Sequence, residues 1–176
     1  MNNILINNES IIGIVAAIIA LIGILLTLFQ LFQTKKIKKA EFVYELLKSI
    51  RSNPNIAKVE YMMDYDLPWY GYKFHGSKKE ALIDDFLAQL NFICFLKSKR
   101  YISKKEIELF EYELNRTITN GECLCYLWNL HHWSKRNDKK CSFAYLIEYA
   151  KEQMNESEKE AFDSPDPKIS GFKKIL

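Results

Sequence analysis

The chain has 176 residues, of which 48% are hydrophobic and 27% charged, with a formal net charge of +3. That length suits one domain with its own core beside a short appendage. A charge this small, drawn largely from one lysine cluster, excludes the strongly basic surface of a DNA-binding protein, and six isolated glycines exclude a phosphate-cradling loop.

The first ten residues, MNNILINNES (1–10), carry no Lys or Arg and read as a short extracytoplasmic tail. Residues Ile11 to Phe32 then form an almost unbroken apolar run without a charge. Roughly 22 residues at 1.5 Å each give about 33 Å, enough to cross a hydrocarbon core of about 30 Å. We place a membrane helix over 11–34. Gly13, Ala16, Ala20, Gly23, Thr27, Gln30 and Thr34 follow one another at spacings of 3, 4, 3, 4, 3 and 4. Ile, Leu, Val and Phe fill most of the remaining helix surface. Small residues let helix backbones approach closely in lipid, and Thr and Gln can hydrogen-bond across such a contact. The seam therefore predicts a helix that meets copies of itself, with Gln30 facing a neighbour, the membrane surface or a water-filled lumen.

Lys35, Lys36, Lys38 and Lys39 follow at once. The positive-inside rule then sets the N-terminus outside and the rest of the chain in the cytoplasm, with these lysines against anionic lipid headgroups. The apolar run is too long for a signal peptide and lacks both a basic n-region and a small-residue cleavage site. Cys94, Cys123, Cys125 and Cys141 fall on the cytoplasmic side, where thiols stay reduced.

Residues 35–163 read as one cytoplasmic α-helical domain. Ile37 to Ser52 is helical in pattern and continues from the span, and Pro54 suits the first turn of a short helix through about Met63. The segment Tyr61 to His75 concentrates aromatic residues around the helix breakers Pro68 and Gly71; it predicts a loop that covers the core or contacts another subunit, in preference to stacking nucleic-acid bases. Ser77-Lys78-Lys79-Glu80 and Ser103-Lys104-Lys105-Glu106 are matching capping boxes. They open helices over Lys78 to Lys97 and Lys104 to about Ile118, the second ended by Asn120-Gly121 as a left-handed C-cap. Further helices run near Glu122 to Lys135 and Cys141 to Met154, and residues 164–176 form a flexible tail. The fold class is all-α.

Most candidate chemistry fails on geometry. Cys123 and Cys125, two apart on a helix, point to opposite sides, and one Cys with one His does not close a zinc site. We expect no metal and no cofactor. His75, His131 and His132 belong to no nucleophile motif, and Asp84-Asp85 diverge around their helix. Lys97, Lys99, Arg100, Lys104 and Lys105 gather at one loop, where a solvated turn explains them as well as a phosphate or membrane contact does.

A single N-terminal span, a basic juxtamembrane stretch and a small cysteine-containing helical domain resemble the single-span membrane accessory proteins of type VI-B CRISPR loci. The resemblance covers the whole chain at the level of architecture. It implies a divergent HEPN-like helical domain, assembly into a membrane pore, a role in antiviral defence, and a CRISPR effector or its RNA signal as partner. The HEPN ribonuclease signature, Arg followed by His after four to six residues, is absent at Arg51, Arg100, Arg116 and Arg136. Only a divergent set remains, with Arg116 approaching His131 or His132 from a neighbouring helix.

Two functions follow. The first is a homo-oligomeric, non-enzymatic membrane protein whose partners are itself and the bilayer, forming a pore or permeabilising the inner membrane. The alternative is a membrane-tethered degenerate HEPN-like RNase or a module that binds RNA or protein.

Overall fold

The computed structural model describes residues 2–176, with side chains from Ile11 onward; apart from its helical backbone, the expected tail over 1–10 lies outside that description. The described residues form an all-helical chain without strands. It divides into two units, Met1–Leu46 and Leu47–Leu176.

The first unit is one helix, most of α1 (Asn2–Arg51). From Ile11 onward α1 is long and apolar enough to cross a membrane, with a mean hydropathy of 3.0 in its most apolar window. Every residue from Ile11 to Lys38 is exposed. The expected continuation of the span into the Ile37 helix holds, because nothing between them breaks the backbone hydrogen-bond ladder.

The second unit begins with the end of α1 and holds α2 (Pro54–Asp64), α3 (Lys78–Ser98), α4 (Lys104–Ile107), α5 (Glu111–Thr119), α6 (Gly121–Arg136), α7 (Ala144–Gln153), α8 (Glu156–Asp163) and α9 (Pro167–Ser170). α3 and α7 form its most extensive contact, with α2 on α3, α5 on α6, and α2 on α5. Ile83, Phe86, Leu87, Leu90 and Ile93 of α3 are fully buried with Leu146 of α7, Val59 of α2, Phe110, Leu114 and Leu127. Burial of each such side chain contributes about 1.5–3 kcal/mol. Asn91 of α3 accepts from the Leu146 amide at 3.0 Å, tying α7 in register.

Local signals set the helix starts. Asn53 caps α2 with Pro54 at its first position, Ser103 and Glu106 form a reciprocal box, and Asn155 with Glu158 forms another at α8. At α3, Ser77 accepts from the Glu80 amide, but the Glu80 carboxylate reaches past the cap to the Gly76 amide and His75.

The structure corrects three further expectations. The helix expected over Lys104 to Ile118 is broken by a 3-10 turn at Glu108–Phe110. Phe110 turns fully into the core there, and the Leu109 carbonyl accepts from the Arg51 guanidinium at 3.1 Å. Asn120-Gly121 is not a left-handed C-cap. Asn120 is extended and caps α6, accepting from the Cys123 amide at 3.0 Å, and Gly121 is the first helical residue. Nor is the segment after Ser164 a loose tail: the Trp128 indole donates to the Ser164 carbonyl at 3.0 Å, α9 forms a further turn, and the last residues lie along α6.

Candidate functional site

α1 carries the first candidate. Gly13, Ala16, Ala20, Gly23, Thr27, Gln30 and Thr34 all lie on one continuous helix and are exposed. A Cβ built on Gly13 or Gly23 meets nothing within 4 Å, so no contact among the described residues requires a glycine at either place. The Thr27 hydroxyl donates to the Gly23 carbonyl at 2.8 Å and is thus satisfied within its own helix. Gln30 has no side-chain partner among the described residues. Lys35, Lys36 and Lys38 are exposed, and Lys39 is partly so.

The second candidate, the divergent HEPN set, is not assembled. Arg116 on α5 points to α2: its Nε lies 2.7 Å from Asp64 Oδ1 and its Nη1 3.6 Å from Glu60 Oε1. Its guanidinium also sits 4.1 Å from the Tyr112 ring centroid and donates to the Tyr112 hydroxyl. Burial pushes the Glu60 carboxyl upward, opposed by the Arg116 charge. His131 and His132 of α6 face α8 instead. His132 Nε2 lies 3.0 Å from the Phe162 carbonyl, and His131 Nε2 lies 3.7 Å from Asp163. No contact joins Arg116 to either histidine among the described residues, because α5 turns its arginine to α2 and α6 turns the histidines to α8.

The histidine pair has electrostatics of its own. Burial, then the charges of Lys135 and His132, push His131 down to about 4, so its ring is neutral at pH 7. Burial of Asp163 opposes its ionisation, but Lys151, 2.6 Å away, outweighs it and holds the carboxyl below its usual range.

Next to Arg116 lies an open cleft of about 740 Å³ lined by Asp64, Asp66, Glu108, Glu111 and Tyr112. Behind it Glu113 is almost completely buried and accepts from Arg51 Nε at 2.9 Å. That bond raises the Arg51 pKa above its ordinary value. Glu113 escaped the sequence reading. An acidic residue within Glu111–Asn115 looks solvated, and only the fold turns it inward.

The cysteines fall as helix geometry requires. Cys123 is fully buried while Cys125 on the opposite side reaches the Lys173 carbonyl. Burial pushes the Cys94 thiol up to about 12. No group of three His, Cys, Asp or Glu side chains converges among the described residues. The aromatic loop folds inward. Trp69, Tyr70 and Phe74 are buried around Tyr126, with Phe74 and Tyr126 centroids 5.1 Å apart, while Tyr72 stays exposed. In the basic loop, Lys97 pairs with Glu152 and lies over the Tyr149 ring.

These features define a class: an all-helical protein with one exposed apolar N-terminal helix and a helical domain in which Arg51, Arg116 and Lys151 are each paired with a carboxylate. Comparison with known proteins finds no matching family profile, no matching curated protein and no matching solved structure.

Proposed function

We propose that this chain is a homo-oligomeric membrane protein that forms a pore or permeabilises the inner membrane, as an antiviral effector accessory to an RNA-targeting CRISPR system. The observation that carries the reading is α1, exposed and free of charge from Ile11 to Thr34, with a stripe of small residues in which a Cβ added at either glycine would meet nothing among the described residues. Lipid accepts large apolar side chains on every face, so a lone anchor gains nothing from that stripe, whereas close helix packing does. Copies would meet through Gly13, Ala16, Ala20 and Gly23, with Gln30 toward a neighbour or lumen. Lys35, Lys36, Lys38 and Lys39 favour an N-terminus outside and the helical domain in the cytoplasm. The defence context, with a CRISPR effector or its RNA signal as trigger, rests on the resemblance to the type VI-B accessory proteins. A tethered RNase draws no support from Arg116 and the histidine pair, which serve different partners.

The test is the mass of the detergent-solubilised full-length protein by light scattering, with detergent subtracted. A discrete mass of several subunits is expected, followed by dye release from liposomes. A monomer refutes the reading.

A further inference from the structure

Gly171 closes α9 with φ +71, a conformation that costs glycine little. Residues 172–176 then run without helix or strand, and side chains of α6 hold them chiefly by the backbone. Asn129 Nδ2 donates to the Lys173 carbonyl at 2.8 Å, and its Oδ1 accepts from the amides of Ile175 at 2.8 Å and Leu176 at 3.1 Å. Cys125 Sγ donates to the same Lys173 carbonyl, and Arg136 donates to that of Leu176 at 2.9 Å. Cys125, Asn129, His132 and Arg136 are spaced 4, 3 and 4 apart, one stripe along α6. Phe172 lies against Trp128 and Phe162, with centroids 5.9 and 6.0 Å away. Beside it is a cavity of about 470 Å³ lined by Ile118, Leu124, Ala150, Met154 and Phe162.

This is more specific than the packing of an apolar end. Asn129 is 1% exposed, and its amide reads backbone groups, whatever the side chains are. Lys173 and Lys174 are exposed, while Phe172, Ile175 and Leu176 are half-buried. Main-chain hydrogen bonds combined with seats for selected apolar side chains are how a groove receives an extended peptide.

We propose that the groove between α6 and α8 is a peptide-docking site, closed in cis by residues 171–176 and filled in trans by the same segment of a second copy. The occupant follows from complementarity. A second copy offers the identical Phe-Lys-Lys-Ile-Leu sequence, so exchange forfeits no strap contact and its balance is set by effective concentration. Copies gathered in one membrane through α1 supply that concentration; to this extent the inference rests on the assembly reading above. Exchange would cover Trp128 and Phe162 with the neighbour's Phe172 and lock one copy to the next.

The experiment uses full-length protein in detergent and a fluorescent peptide of residues 167–176. A chain lacking residues 171–176 should bind the peptide at least tenfold more tightly than the intact chain. Asn129→Ala in that background should weaken binding at least tenfold. Equal binding by the intact and shortened chains, or indifference to Asn129→Ala, overturns the proposal. If shortening removes the helical circular dichroism signal, Phe172→Ser/Leu176→Ser, which keeps the whole chain, is held to the same two criteria. Light scattering on the same samples separates the two readings. An oligomer whose opened groove ignores the peptide overturns the docking site alone, whereas a monomer overturns assembly and exchange between copies together.

Discussion

The pairing of Arg51 with Glu113 offers the sharpest test of how the helical domain is held. Their side chains are unequally placed: Glu113 is 2% exposed and Arg51 53%. Arg51→Ala leaves a carboxylate buried without a counter-charge, and breaking a fully buried pair this way costs about 3–5 kcal/mol. Half-exposure of Arg51 lets water reach the carboxylate once the guanidinium is gone, so we expect about 2–3 kcal/mol. The reverse change, Glu113→Gln, removes the charge but keeps an amide oxygen to accept from Arg51, which returns its own charge to water. We expect a loss of about 1 kcal/mol or less, in the range of one ordinary hydrogen bond. The double variant should resemble Glu113→Gln, because a neutral residue needs no arginine. All three tryptophans (Trp69, Trp128, Trp133) lie beyond α1, so urea unfolding of the full-length protein in detergent, followed by tryptophan emission, reports on the helical domain alone. With a slope of about 1–3 kcal/mol per molar, the Arg51→Ala midpoint should fall by about 1–2 M. Equal losses for the two single variants, or a double variant that sums them, would refute the reasoning.

Three other outcomes are expected. Under the proposed assembly, Gly23→Leu or Ala20→Leu should lower the light-scattering mass while membrane insertion, read by carbonate extraction, is unchanged; an unaltered mass in both counts against the seam. His131, pushed down to about 4 in the fold from an ordinary 6.5, takes up protons more readily unfolded. Stability should therefore fall by about 3 kcal/mol as pH drops from 6.5 toward 4, and His131→Gln should flatten that window in unfolding curves taken at several pH values. Asn120→Ala removes the α6 cap together with bonds to Met63 and Asp66, so thermal melts should show a loss of about 1–2 kcal/mol.

What the sequence disclosed depended on how far each deciding contact reaches along the chain. Ser103 and Glu106 announce a helix start because both halves of the box lie within four residues, and α1 announces itself through composition alone. The break at Glu108–Phe110 could not be read this way, since the guanidinium that takes the Leu109 carbonyl belongs to Arg51, 58 residues upstream. Asn120-Gly121 is locally ambiguous. Glycine suits the end of one helix and asparagine the start of the next, and the tight junction of α5 with α6 selects the second. Two prolines near the end suggested a loose tail, yet Pro167 opens α9 and Asn129 anchors the last residues from 44 to 47 positions away. Arg116 and the histidines show the same limit. Their types were suggestive, but which neighbour each one met was settled by the turn between α5 and α6.

The contrast between the two units bears on function. In the helical domain, the charged side chains that the fold draws inward find partners there: Arg51 with Glu113, Arg116 with Asp64 and Glu60, Lys151 with Asp163. Phe172 likewise finds Trp128 and Phe162. α1 follows the opposite rule. Each glycine in an aqueous helix interior costs about 1 kcal/mol relative to alanine, and at Gly13 and Gly23 nothing among the described residues lies within 4 Å of an added Cβ, so no packing inside the chain calls for a glycine there. Bilayer insertion would account for the leucines and isoleucines of this helix but would be indifferent to where its small residues fall. A repeat kept in phase from Gly13 to Thr34 is accounted for if another helix packs there, and in the proposed assembly that helix is the same one from a second copy.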